Sequence, residues 1–112
     1  MKNYYLCTTV DLNQHLINHP NTTFFLKVAG DSMIDAHIQE DDILVVDRSI
    51  HAKNNDIVIA VFDSNVTVKR LLISSDGIFL KPENTNYPLI PIPSYSDLTI
   101  WGVVTSVIHK FR

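Results

Sequence analysis

One cysteine, three glycines and no long apolar run: this 112-residue sequence does without several common devices. Cys7 has no second thiol to pair with, which excludes an intramolecular disulfide and a zinc cluster built on thiolates. No stretch approaches the roughly 18 consecutive apolar residues of a membrane-spanning helix. Met1-Lys2-Asn3-Tyr4-Tyr5 lacks the apolar core of a secretory signal. A cytoplasmic location with no membrane partner is therefore expected. An excess of one charge is lacking too. Nine basic and twelve acidic residues are interspersed and sum to −3, a poor balance for gripping phosphate backbones. The basic end His109-Lys110-Phe111-Arg112 is too short to change this and reads as solvated. No direct sequence-specific DNA binding is expected. Repeats and low-complexity segments are absent as well.

What is present describes a folded chain, with 46% hydrophobic and 19% charged residues, enough for one modest core in a single domain over 1–112. Asp11-Leu12-Asn13-Gln14 reads as a helix start, with Asp11 as cap and Gln14 completing a capping box. Leu12 and Leu16 share a face, and Pro20 stops the helix near Asn18. Beyond it the pattern turns to strands. Phe24 to Val28 runs into Gly30, where the chain can turn tightly. Ile43–Asp47 and Asp56–Phe62 are short apolar runs of the buried kind, and Asp63-Ser64-Asn65 supplies turn chemistry. From Asn65 to Leu72 residues alternate, with Thr67, Lys69 and Leu71 on one face and Val66, Val68, Arg70 and Leu72 on the other. Asp76-Gly77 marks a tight turn into Ile78-Phe79-Leu80. Pro82, Pro88, Pro91 and Pro93 confine the next stretch to an irregular or edge role. Leu98 to His109 is a long last strand, bent or bulged at Gly102. The expected fold is mostly β: compact, twisted and antiparallel, with one short N-terminal helix.

Several constellations favour plain roles. His15 and His19 lie four apart on the expected helix, with Asp11 a turn earlier. A metal site there lacks the second shell a ligand set needs, and Leu16 replaces the glutamate of a zincin motif. No metal and no cofactor are expected. His37, five residues after Ser32 with Asp35 between, is too local for a serine triad, whose partners come from separate elements. His51 and His109 have no obvious partners. Tyr87, Tyr95 and Trp101 read as core or dimer-interface residues, since no basic groove accompanies them.

One pair carries chemistry. Ser32 sits in Gly30-Asp31-Ser32-Met33 at a glycine-led turn after a strand, and Lys69 follows thirty-seven residues later in Val68-Lys69-Arg70. Taken singly, a serine after Gly-Asp is usually a turn residue and a strand lysine is usually solvated. Nothing in the residues alone selects Lys69 among the nine basic side chains. An ordered set of blocks does more. Gly30-Asp31-Ser32-Met33-Ile34-Asp35, Asp42-Ile43-Leu44-Val45-Val46-Asp47, Asp56-Ile57-Val58-Ile59-Ala60 and Thr67-Val68-Lys69 together resemble the UmuD/LexA family (peptidase S24) of self-cleaving SOS-response proteins, most of all its UmuD branch. The resemblance runs from Asp11 to Val103-Val104.

It implies the fold of the LexA/UmuD C-terminal domain, which is signal-peptidase-like, with residues 1–10 as a flexible arm remnant. It also implies that Ser32 is the nucleophile and Lys69 the general base of acyl transfer. The main-chain amides of Asp31 and Ser32 would steady the oxyanion. The lysine must be neutral to act, so its pKa must fall to roughly 7–8, which desolvation can achieve. Its neighbours Val68 and Leu71 suit that need, and no acid lies within three residues.

Family members cut their own arm at an Ala-Gly or Cys-Gly bond well upstream of the serine. Here Cys7 precedes Thr8, and Ala29-Gly30 is too near Ser32 to fold back onto it. The chain thus resembles the processed form, for which cleavage would occur only in trans. The resemblance implies a homodimer that joins a UmuC-type error-prone polymerase in translesion synthesis. It also brings in the RecA filament on single-stranded DNA and the full-length UmuD-type homologue as further partners. Two alternatives stay open: a trans-acting peptidase on full-length homologues, and an anti-SOS decoy forming mixed dimers. With no helix-turn-helix domain in the sequence, a repressor role is not expected.

Overall fold

A computed structural model describes residues 10–94 and 96–112. The anticipated arm remnant, apart from exposed Val10, lies outside the described residues, as do Cys7 and Tyr95. Helix α1 spans Leu12–Leu16, and seven strands follow: β1 Thr23–Lys27, β2 Ile43–Asp47, β3 Ile57–Phe62, β4 Asn65–Ser74, β5 Gly77–Lys81, β6 Ile90–Ile92 and β7 Leu98–Ile108. They form one sheet in the order β1-β2-β7-β3-β4-β5-β6, and every neighbouring pair is antiparallel.

The helix is the least integrated element. The Asp11 carboxylate accepts from the Asn13 amide at 3.0 Å, as a cap should. No helical residue is buried, however, and Leu12 remains 63% exposed. The Leu12–Leu16 face anticipated from spacing therefore packs no core. Five residues give too few backbone bonds to sustain a helix by themselves.

The strands follow their side-chain pattern closely. β3 is apolar throughout because both of its faces are covered. Ile57 and Ile59 meet one hydrophobic cluster, with Val28, Met33, Ile38, Leu44 and Val46. Val58, Ala60 and Phe62 meet a second, with Leu71, Leu80 and Val103. The β3–β4 hairpin turns on Asp63 and Ser64, whose φ values of 51° and 64° match the twist that tight hairpins require. Pro91 lies in β6 at the sheet edge, where a missing N–H removes no central ladder bond.

β7 departs from strict alternation, and that departure keeps both clusters filled. Ile59 pairs with Gly102 but Ala60 pairs with Ile100, so Trp101 is the extra residue of a bulge. Ile100 and Val103 then face the second cluster, while Trp101 and Val104 face the first. Gly102 is required here. A Cβ would stand 2.5 Å from Val46 Cγ1, and Val46 is fully buried.

Candidate active site

The loop after β1 carries Ser32. Gly30 turns the chain at φ +84°, and Met33 anchors the loop by burying its side chain in the first cluster, leaving 1% exposed. Ser32 is left half-buried.

Lys69 lies where β4 changes its surroundings. From Arg70 to Ser74 the strand pairs with β5, but from Asn65 to Lys69 it pairs with β3 alone. That half of β4 is an open edge, and the Ser32 loop sits beside it. Lys69 Nζ donates to Ser32 Oγ at 2.9 Å, to Thr67 Oγ1 at 2.5 Å and to the Val68 carbonyl at 3.1 Å. Its residue is only 7% exposed, and burial lowers the pKa of the ammonium below the ordinary lysine value. No carboxylate forms an ion pair with it among the described residues. Arg70 is engaged elsewhere, with Glu83 Oε1 at 2.6 Å and the Asn55 carbonyl at 2.5 Å.

Three oxygens around one nitrogen suit both protonation states. The ammonium donates to all three. A neutral amine keeps two N–H bonds for Val68 O and Thr67 Oγ1 and turns its lone pair to the Ser32 hydroxyl, the orientation in which lysine is a base. Beside this pair opens a cleft of about 200 Å³, walled by Leu26 to Ala29, Leu44, Ile59 and Val66 to Val68. The amides of Asp31 and Ser32 donate to no acceptor among the described residues.

The remaining sequence candidates disperse. Helix α1 ends at Leu16, so His15 and His19 never share its face. His19 instead bonds Asp47 Oδ2 through Nδ1 at 2.6 Å. His37 occupies the left-handed region at φ 64° in an exposed loop. His109, which the sequence left without a partner, meets buried Asp42 at 2.5 Å. Tyr87 is not a core residue. It is 42% exposed, and its hydroxyl donates to Asp31 Oδ1 at 2.5 Å, an interaction that raises its pKa. Trp101 is half-buried, with Phe24 against its ring at 5.3 Å and Arg48 over it at 4.5 Å.

Three polar neighbours of the pair were not anticipated: Thr67, Asn84 and Tyr87. A signal for Thr67 was present, since it lies two residues before Lys69 on an alternating strand. Asn84 and Tyr87 lie 53 and 56 residues from the Asp31 they contact, and no local pattern points to them.

No helix among the described residues is long and apolar enough to cross a membrane. The Peptidase S24-like family matches residues 2–105. Protein MucA of Salmonella typhimurium is 42% identical over 97 residues, covering 86% of this chain and 66% of MucA. Protein ImpA of Shigella flexneri is 42% identical over 108 residues, covering 92% of this chain and 70% of ImpA. The LexA repressor of Magnetococcus marinus is 51% identical over 84 residues, 75% of this chain and 36% of the repressor. The chain thus spans just under two thirds of MucA and about a third of that repressor. With nearly its whole length matched and its antiparallel sheet of the corresponding type, this chain belongs to the Peptidase S24-like family, as a UmuD-like member of the UmuD/LexA group.

Proposed function

We propose that this protein is a UmuD-like component of the SOS response whose Ser32 and Lys69 form a serine-peptidase dyad. The observation that carries the peptidase part is the 2.9 Å approach of a desolvated, uncompensated lysine to a serine hydroxyl at an open strand edge. A substrate would pair as an extended strand along Asn65–Lys69, which brings a carbonyl to Ser32. Neutral Lys69 takes the hydroxyl proton as Oγ bonds the carbonyl carbon. The tetrahedral oxygen is stabilised by the Asp31 and Ser32 amides. Lys69 then returns the proton to the leaving amine, and water resolves the acyl-enzyme.

The 42% identity to MucA and ImpA supports the wider role. In it, a cytoplasmic homodimer serves as accessory subunit of a UmuC-type translesion polymerase and responds to RecA filaments. Its substrate in trans is a full-length UmuD-type homologue.

The test is trans-cleavage of such a homologue made catalytically dead, from about pH 7 to about pH 10. Burial depresses the lysine pKa, so the neutral fraction grows with pH. The rate should rise about tenfold per pH unit and level off at a midpoint below the ordinary lysine value of 10.5. Ser32→Ala and Lys69→Ala should each abolish cleavage. A wild-type rate indistinguishable from that of Ser32→Ala across the range would refute the dyad. Failure to co-purify with a UmuC-type polymerase would refute the subunit role.

A further inference from the structure

The segment leaving β5, Pro82 to Tyr87, grips the nucleophile loop on both sides of Ser32. Asn84 Nδ2 donates to the Asp31 carbonyl at 2.9 Å, and the Tyr87 hydroxyl donates to Asp31 Oδ1. The Glu83 amide donates to Met33 Sδ at 3.4 Å, and the Glu83 carbonyl accepts from the Asp35 amide at 2.7 Å. The same Glu83 holds Arg70, the residue next to Lys69, through its carboxylate. One short segment therefore ties both halves of the pair, 37 residues apart, to a common support.

Its contact at Asp31 has a specific consequence. The Asp31 carbonyl and the Ser32 N–H belong to one peptide plane and, in a trans peptide, point in opposite directions. Drawing the oxygen toward Asn84 Nδ2 and the Ile34 amide, 3.2 Å away, aims the Ser32 N–H the other way, with no acceptor among the described residues taking it. Asn84 is itself fixed: it is 9% exposed, its Oδ1 accepts from the Asn86 amide at 2.9 Å, and its carbonyl accepts from the Tyr87 amide at 3.0 Å.

We propose that Asn84, supported by Tyr87, is a positioning residue that sets the direction of the Ser32 amide and so builds the oxyanion site. The proposal rests on the dyad reading, and its test separates the two. Asn84→Leu keeps the approximate size and adds no charge near Lys69, but loses the donor. In trans-cleavage it should lower kcat about 10- to 100-fold, in line with the cost of misplacing a transition-state contact. KM should stay within about twofold and the midpoint of the pH–rate curve should not move, because Lys69 is untouched. Tyr87→Phe, on an exposed residue that leaves the fold intact, should give a smaller loss of kcat with the same KM and midpoint.

Unchanged kcat in Asn84→Leu, or a loss matched by a higher KM or a displaced midpoint, would overturn the proposal. A wild-type protein that does not cleave would instead refute the dyad. The amide can then be read directly, through the 15N–1H residual dipolar coupling of Ser32. This coupling should change in Asn84→Leu while those of β3 and β7 stay fixed, and an unaltered Ser32 coupling would overturn the positioning role whatever the activity.

Discussion

At the scale of single residues, Lys69 is held where the proposed dyad needs it, at a cost to the fold. A lysine whose folded pKa lies below its unfolded value binds fewer protons folded than unfolded, across the interval between the two. Stability therefore rises with pH there, and at neutral pH the buried ammonium weighs against the fold. Replacing Lys69 by methionine should abolish cleavage yet raise the thermal midpoint at neutral pH. Its advantage over wild type should shrink as the pH climbs toward 10.5, the ordinary lysine value. Thermal unfolding of both proteins at several pH values checks this. A lower midpoint for the variant at neutral pH would mean that the three oxygens around Nζ repay the desolvation. Thr67 and Val68 supply two of those oxygens from the lysine's own strand, so part of the arrangement is local. The third, on Ser32, comes from a distant turn.

Among the elements, β2 is fastened at both ends by buried aspartates. Asp42, just before the strand, is 2% exposed and accepts from the Gln39 amide and from His109. Asp47, its last residue, is 4% exposed and bonds His19, Thr22 and Ser49. Burial alone would raise both carboxyl pKa values, but these hydrogen bonds outweigh it and leave both lowered. A carboxyl depressed in the folded state contributes stability above its ordinary value, near 3.8, and loses that contribution as the pH falls below it. Urea unfolding from neutral pH down to about pH 3 should show a steep acid limb in wild type and a flatter one in Asp42→Asn with Asp47→Asn. Equal limbs would show that other groups drive acid unfolding. The β7 bulge gives a second expectation at this scale. Gly102→Ala should cost about 1–3 kcal/mol by overpacking against Val46, measured as a lower urea midpoint at unchanged slope. A midpoint within error of wild type would mean that the β2–β7 pair can spread without loss.

Over the whole molecule, the long sheet leaves β1 at one margin with Phe24 and Phe25 42% and 52% exposed. It also leaves Val66 70% exposed on the open half of β4. Uncovered apolar edges of this kind are sites of pairing. The proposed homodimer should sediment at twice the 12.7 kDa chain mass. A single species at the chain mass at micromolar concentration would contradict it.

Parts that depend on near neighbours were legible in the sequence. Alternation in 65–72 placed β4, the apolar run at 43–47 placed β2, and Asp76-Gly77 and Gly102 marked a turn and a bend, because side-chain period and backbone freedom are local properties. The ordered blocks around Ser32 and Lys69 carried the family. Only the folded arrangement shows that α1 packs no core and that His19 and His109 meet buried aspartates. It also decided that Asn84 and Tyr87 reach Asp31 and that β5 begins pairing only after Lys69, leaving the edge beside it open. Each of these depends on partners tens of residues apart. Their proximity is set by how the sheet is ordered and twisted, which no local pattern encodes.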